Sequence, residues 1–180
     1  MPRYVAFLRA INVGGHTVKM DHLRTLFEDL GYRRVETVIA SGNVLFSSPS
    51  TPTAALEQRI ERHLEQALGY AVVTFVRDVG ELAGMLANHP YGEPVPNGHT
   101  LHVGLLKAPL SAAQKLKVRS LCTAVDEFHV HGREAYWLCR VRTMESIVSG
   151  GAVEKAVAMP ATFRNVNTIR RLAAKVSEPT

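Results

Sequence analysis

Apolar and polar positions change period several times along this chain, and each change marks an element. Tyr4–Arg9 (YVAFLR) is a short, almost unbroken apolar run, the pattern of a buried central strand. After a Gly14-Gly15 loop, Met20, Leu23, Leu26, Phe27 and Leu30 recur at helical spacing, and Gly31 marks the stop. Val35–Ala40 and Asn43–Ser47 read as strands joined through the hairpin-like pair Ser41-Gly42. Thr51-Pro52 opens a second helix, with proline in the first helical position and Leu56, Ile60, Leu64, Ala67 and Leu68 on its apolar stripe. Gly69 closes it, and Ala71–Val76 is a further strand. Asp78 and Glu81 have capping-box spacing for a short helix through Leu86.

Pro90–Gly98 (PYGEPVPNG) holds three prolines and two glycines in nine residues and reads as a linker. The order then repeats. Leu101–Leu106 is a strand, and Ser111 with Gln114 caps a helix carrying Ala113, Leu116 and Leu121. Val125–His131 and Glu134–Cys139 flank Gly132-Arg133, a glycine-first pair suited to a type II′ turn. A helical region broken by Gly150-Gly151 is expected after Thr143, then an extended stretch over Ala161–Phe163. A closing helix follows, capped by Asn165 and buried through Ile169, Leu172, Ala173 and Val176. The predicted fold class is α+β: two tandem ferredoxin-like (βαββαβ) halves with antiparallel sheets, plus a C-terminal helix. Their expected limits are 1–89 and 99–180, with 90–98 as linker. No residue-level identity is visible between the halves.

Composition narrows the function classes. Of 180 residues, 46% are hydrophobic and 21% charged, which fits a folded globular chain and excludes disorder. No window approaches the roughly 20 apolar residues of a membrane span, and the N-terminus lacks a cleavage pattern, so a cytoplasmic protein without a membrane partner is expected. The two cysteines, Cys122 and Cys139, have no ligand or CxxC spacing and are expected to be reduced, buried and inert. A net charge of +5 leans towards an anionic partner, although ordinary cytosolic proteins carry as much.

Topology brings polar residues together. In such a sheet the first and third strands are antiparallel neighbours, so Arg9 and the loop through Asn12, Gly14 and Gly15 should lie beside Ser41, Gly42 and Asn43. The next helix starts near Lys19. Free N–H groups at a helix start and forked or point cations such as Arg9 and Lys19 suit an anionic or phosphorylated small molecule. The same asparagines and serine could equally satisfy turn backbone. A third polar segment supplies Arg164, Asn165 and Asn167; Asn165 is a cap candidate, and the other two are without an obvious local duty. The expected ligand cleft joins the Arg9–Gly15 loop, the Ser41–Asn43 turn and Arg164–Asn167. Alternatives are a nucleic-acid-binding or protein-interaction module, or motifs that only weld the fold together.

Three segments carry a resemblance. RAINVGG (Arg9–Gly15) with the following helix, SGNVLF (Ser41–Phe46) and ATFRNVNT (Ala161–Thr168) resemble, in this order over nearly the whole chain, the bacterial domain of unknown function DUF1697. The resemblance implies a duplicated ferredoxin-like α+β protein and brings no established activity. Departures are Ala10 where glycine is common, Phe163 in place of a small hydroxyl residue, and CRVRTM (Cys139–Met144) in place of a Pro/Gly-containing loop.

Other chemistry has little support. His129 and His131 share a strand face but lack further ligands, so no metal is expected. No cofactor motif is present: Asn-x-Gly-Gly matches neither a P-loop nor GxGxxG. Ser41-Gly42 is not in a nucleophile-elbow context, and whether the chain is an enzyme stays open, with no catalytic residue assigned. Nucleic acid remains a weak candidate, because strand three offers a lone Phe46 and Tyr4 and Phe7 point to opposite faces.

Overall fold

The computed structural model describes residues 1–38, 42–49 and 51–178. The chain divides into two compact units: Met1–Leu82 together with the segment from Arg171 onward, and Ala83–Arg170. Among the described residues, no helix is long and apolar enough to cross a membrane.

The first unit contains β1 (Arg3–Leu8), α1 (Met20–Asp29), β2 (Arg33–Val38), β3 (Asn43–Ser47), α2 (Thr53–Leu68) and β4 (Thr74–Asp78), and α3 (Val79–Ala87) begins within it. The strands form an antiparallel sheet in the order β2-β3-β1-β4, the split βαβ arrangement. Tyr4, Ala6, Leu8, Val44, Phe46 and Val76 meet Leu23, Phe27, Leu56, Ile60 and Leu64 of α1 and α2 in one core. The alternate residues Val5, Phe7, Leu45 and Phe75 are fully buried as well, which is why β1 and β3 read as continuous apolar runs rather than alternating ones.

Three predicted boundaries move. β2 starts earlier than Val35, because Arg34 adopts a φ of 51° and the register with β3 shifts between Arg33 and Glu36, a bulge; Ile39 and Ala40 lie outside the described residues. Pro52 is the extended residue before α2 and not its first helical one. β4 runs over Thr74–Asp78 and not Ala71–Val76, its pairing with β1 starting at Leu8↔Thr74.

The outer edge of β4 is closed by carboxylates. Alternate N–H groups of an edge strand have no ladder partner. In β4 those of Thr74, Val76 and Asp78 donate to Glu61 (2.8 Å), Glu57 (2.8 Å) and Glu81 (3.0 Å). Glu57 and Glu61 are one turn apart on α2. Glu81 also completes the predicted capping box, its own N–H donating to Asp78 Oδ1 at 2.8 Å. Glu57 is 4% exposed and lies 3.8 Å from the guanidinium of Arg77, which is 0% exposed. Removing one partner of a buried ion pair leaves the other charge desolvated. Glu57→Ala is therefore expected to cost roughly 3–5 kcal/mol in urea unfolding, against less than about 1 kcal/mol for alanine at the exposed Glu65.

The second unit continues with β5 (Thr100–Leu106), α4 (Ala112–Arg119), β6 (Asp126–His131), β7 (Glu134–Cys139), a single 3₁₀ turn (Thr143–Glu145), α5 (Gly150–Val157), β8 (Ala161–Asn165) and the start of α6 (Val166–Ser177). Its sheet has the order β6-β7-β5-β8, the first unit's order repeated. The Ser111–Gln114 capping box forms. The edge strand is treated as in the first unit: Ala161 N–H donates to Glu154 of α5 at 2.7 Å. The helical region expected after Thr143 is one turn only, and Gly150-Gly151 opens α5 rather than breaking a helix. The reason is packing. A Cβ on Gly150 would sit 2.9 Å from the Phe163 ring, and one on Gly104 2.6 Å from it. These two glycines make the slot that takes Phe163, whose ring meets Trp137 edge-on at 6.1 Å.

The 140–149 segment is tied to this core by one buried carboxylate. Asp126 is 0% exposed and accepts from Trp137 Nε1 (2.8 Å), Thr123 Oγ1 (2.8 Å) and Ser146 Oγ (2.8 and 2.9 Å to its two oxygens). Burial pushes its pKa up, but the hydrogen bonds from Trp137, Thr123, Ser146 and Cys139 outweigh that and hold it below the ordinary value. A carboxyl depressed in the folded state stabilises above the unfolded value of about 3.9 and loses that contribution as pH falls through the lower folded one. Asp126→Asn should lower stability at pH 7 by roughly 2 kcal/mol and flatten the acid limb of the stability–pH curve below about pH 4, both read by urea titration at stepped pH.

Candidate functional site

The predicted corner of the first unit exists. Phe7 of β1 faces Asn43 of β3, and Leu8 N–H donates to Gly42 O at 2.8 Å. Gly42 has a φ of 81°, and a Cβ there would lie 2.8 Å from Ile11 Cγ2 and 3.2 Å from Leu8 Cβ, so only glycine lets the turn sit on the loop. Ser41 lies outside the described residues. Arg9 N–H donates to Val73 O at 2.9 Å.

The asparagines of this corner hold backbone. Asn12 Oδ1 accepts from Val18 N–H at 2.6 Å, which fixes the loop across Gly14 and Gly15 to the entry of α1. Asn43 is buried, and its Nδ2 donates to Val38 O at 3.1 Å. Lys19 occupies the N-cap position of α1 without a side-chain cap bond and is exposed, like Gly14 and Gly15. Tyr70, which the sequence pattern did not single out, secures the loop from the far side: its hydroxyl donates to Ile11 O at 3.1 Å and its ring stacks on His16 at 3.8 Å.

Arg164, Asn165 and Asn167 belong to the second unit. Arg164 sits in β8 opposite Val103, and its Nη1 donates to Thr162 Oγ1 (2.8 Å) and Phe163 O (3.1 Å). Burial pushes its guanidinium down to about 10. Asn165 caps α6 as expected, its Oδ1 accepting from Asn167 N–H at 2.9 Å. Asn167 Oδ1 in turn accepts from Arg170 Nη1 at 2.6 Å. Both residues left without a duty in the sequence thus have local ones.

Asn165 and Asn167 also line a cleft of about 370 Å³. One wall is the start of α6, with Val166 and Arg170; the other is the segment before β5 and its entry, with Asn97, His99 and Thr100. The walls meet because His102 pairs with Asn165 across β5 and β8. The 90–98 segment, expected as a linker, lies inside the second unit and is folded on itself there, His99 N–H donating to Pro96 O at 3.0 Å. Arg170 also pairs through Nη2 with Glu93, whose other oxygen lies 3.1 Å from His89 Nε2. Among the lining residues there is one permanent cation and no carboxylate. Sequence reasoning missed Arg170 and His99. The i, i+3 spacing of Asn167 and Arg170 on the closing helix was the available signal for the first; for His99 there was none, since its place follows from strand pairing.

No group of three or more His, Cys, Asp or Glu among the described residues could hold a metal ion. Cys139 is buried, which raises its thiol pKa, whereas Cys122 is exposed rather than buried as expected. Cys122 follows the end of α4, and its Sγ accepts from Phe128 N–H at 3.4 Å.

Ala10, standing where glycine is common in the resembling motif, has a φ of 55°. The left-handed region costs a residue with a Cβ about 1–2 kcal/mol, more than the unfolded-state entropy that glycine adds. Ala10→Gly is expected to stabilise the chain by about 0.5–1 kcal/mol, read as a higher urea midpoint at unchanged slope.

Comparison with known proteins bears on the whole chain. A conserved bacterial protein of Streptococcus pneumoniae has a similar solved structure, with a TM-score of 0.74 at 22% identity, covering 98% of this chain and 99% of that one. This likeness concerns the fold. Comparison with curated proteins finds no match. The family model described as "Protein of unknown function (DUF1697)" matches residues 1–136. With that match over most of its length, this chain belongs to the DUF1697 family.

Proposed function

We propose that the chain binds a small anionic or phosphorylated ligand in the cleft at the start of α6. The observation that carries the reading is the setting of Arg170: a forked cation one turn into a helix, lining a cleft with no acidic lining residue, its carboxylate partner Glu93 standing outside that lining. Helix N-termini and arginine forks both favour phosphate or carboxylate oxygens. A volume of about 370 Å³ falls in the range of small-molecule sites. Asn97, Asn167 and His99 add donors that would orient the ligand.

A second reading rests on the same atoms. His89, Glu93, Arg170 and Asn167 form one continuous polar chain, which could serve only to fasten the 90–98 segment to α6. The two readings differ in sign at Glu93. As a competitor for Arg170, its removal should favour an anion; as a fastener, its removal can only loosen the fold.

The test is a calorimetric titration of inorganic pyrophosphate and a panel of phosphorylated metabolites into wild type, Arg170→Gln and Glu93→Gln. Expected are a weakening of about ten-fold or more for Arg170→Gln and a gain of a few-fold for Glu93→Gln. If both variants lower the melting temperature and neither alters any affinity, the fastening reading replaces the ligand one.

A further inference from the structure

The first unit has a cleft of its own, of about 460 Å³, between the end of α1 and one face of α2. It is lined by Leu30, Ala55, Gln58, Arg59, Arg62 and His63. The apolar face of α2, Leu56, Ile60 and Leu64, is buried in the core. The residues at 58, 59, 62, 63 and 66 therefore share the face turned away from it, spaced three and four apart.

Three features separate this face from an ordinary solvated charge stripe. Arg59 is held in place at two points: its Nη2 donates to Leu30 O at 2.9 Å, and its guanidinium lies 5.6 Å from the centre of the Tyr32 ring. Arg62, one turn further on, has no carboxylate partner among the described residues. His63 has a buried Nε2 with no hydrogen-bond partner among the described residues. The cleft thus gathers two forked cations, an imidazole and amide donors, with no acid in its lining.

We infer that this cleft is a binding site for a small dianionic phosphate compound, a phosphomonoester, with Arg62 as the fork that engages the phosphate and Arg59 as a fixed second cation. Two arginines match the charge of one dianion, and a planar fork meets two phosphate oxygens at once. Leu30 and Ala55 give the ester's organic part an apolar surface. A nucleic-acid strand fits less well: Tyr32, the aromatic ring at this face, is 4% exposed and covered by Arg59, which leaves bases nothing to stack on. The site shares no residue with the cleft at α6, so either can fail alone.

The experiment is a ¹H–¹⁵N titration of the full chain with inorganic phosphate, phenyl phosphate and an unstructured oligouridylate. Expected are saturable shifts of amides 58–66, tighter binding of phenyl phosphate than of inorganic phosphate, and a weakening of about ten-fold or more in Arg62→Gln. Arg62→Lys should fall between the two, and Arg170→Gln should match wild type. The Arg62 side chain is exposed and makes no bond to the described residues, so its substitution leaves the fold intact. Absence of saturable shifts on α2 overturns the inference, and so does an Arg62→Gln affinity equal to wild type. Shifts with the oligouridylate alone assign the face to nucleic acid and overturn it as well.

Discussion

The structure depends on how the outer edges of its two sheets are closed. A four-stranded sheet has two edges, and an edge with free N–H groups is a template for pairing with another chain. In the first unit α2 lies along β4, where the Val76 N–H is buried and the Thr74 N–H partly so, and a buried amide without a partner costs a few kcal/mol. Carboxylates projecting from the helices take their place: Glu57, Glu61 and Glu81 on β4, and Glu154 on β8. A carboxylate on a strand N–H is a charge-assisted bond, and it fixes the height of the helix on the sheet. Arg77 beside Glu57 supplies the counter-charge that a carboxylate buried at that depth requires.

The same device in both units is the clearest physical sign of duplication. Thr74 and Ala161 each begin the last strand of their sheet, opposite Leu8 and Leu106 at the ends of the central strands. Each gives its N–H to a glutamate on the helix before it. The residue types around these points differ, so the repeat is one of backbone requirement and not of sequence. The second unit has two further devices: a buried Asp126 tying the 140–149 segment to Trp137, and a ring slot between Gly104 and Gly150.

This use of polar groups shapes which cationic side chains stay open. At the corner after β1, Asn12 and Asn43 are occupied with backbone, and Gly42 is packed against Ile11. Those residue types give the corner its shape. The open cationic surfaces lie instead along helices, at the first turns of α6 and on the exposed face of α2. There a guanidinium can be aimed by a neighbouring carbonyl or amide and still keep donors free.

Much of the architecture was legible along the chain. The apolar runs at Tyr4–Arg9 and Asn43–Ser47, the helical stripes, the two capping boxes and the glycine-first turn at Gly132 all have local causes, so local pattern suffices to find them. Which strands pair, and hence the meeting of the Arg9 loop with Gly42, followed from element order. Other features had no local trace. The Arg34 bulge, the late start of β4 and the opening of α5 at Gly150 are set by register and by the bulk of Phe163. Glu57, Glu61 and Glu154 carry no local signal of their task, which exists only once the fold lays a strand beside them. The order of elements was fixed by side-chain periodicity, which belongs to the chain itself. The placing of charges on amides and of arginines beside clefts was decided only in three dimensions, because hydrogen bonds and desolvation depend on neighbours distant in sequence.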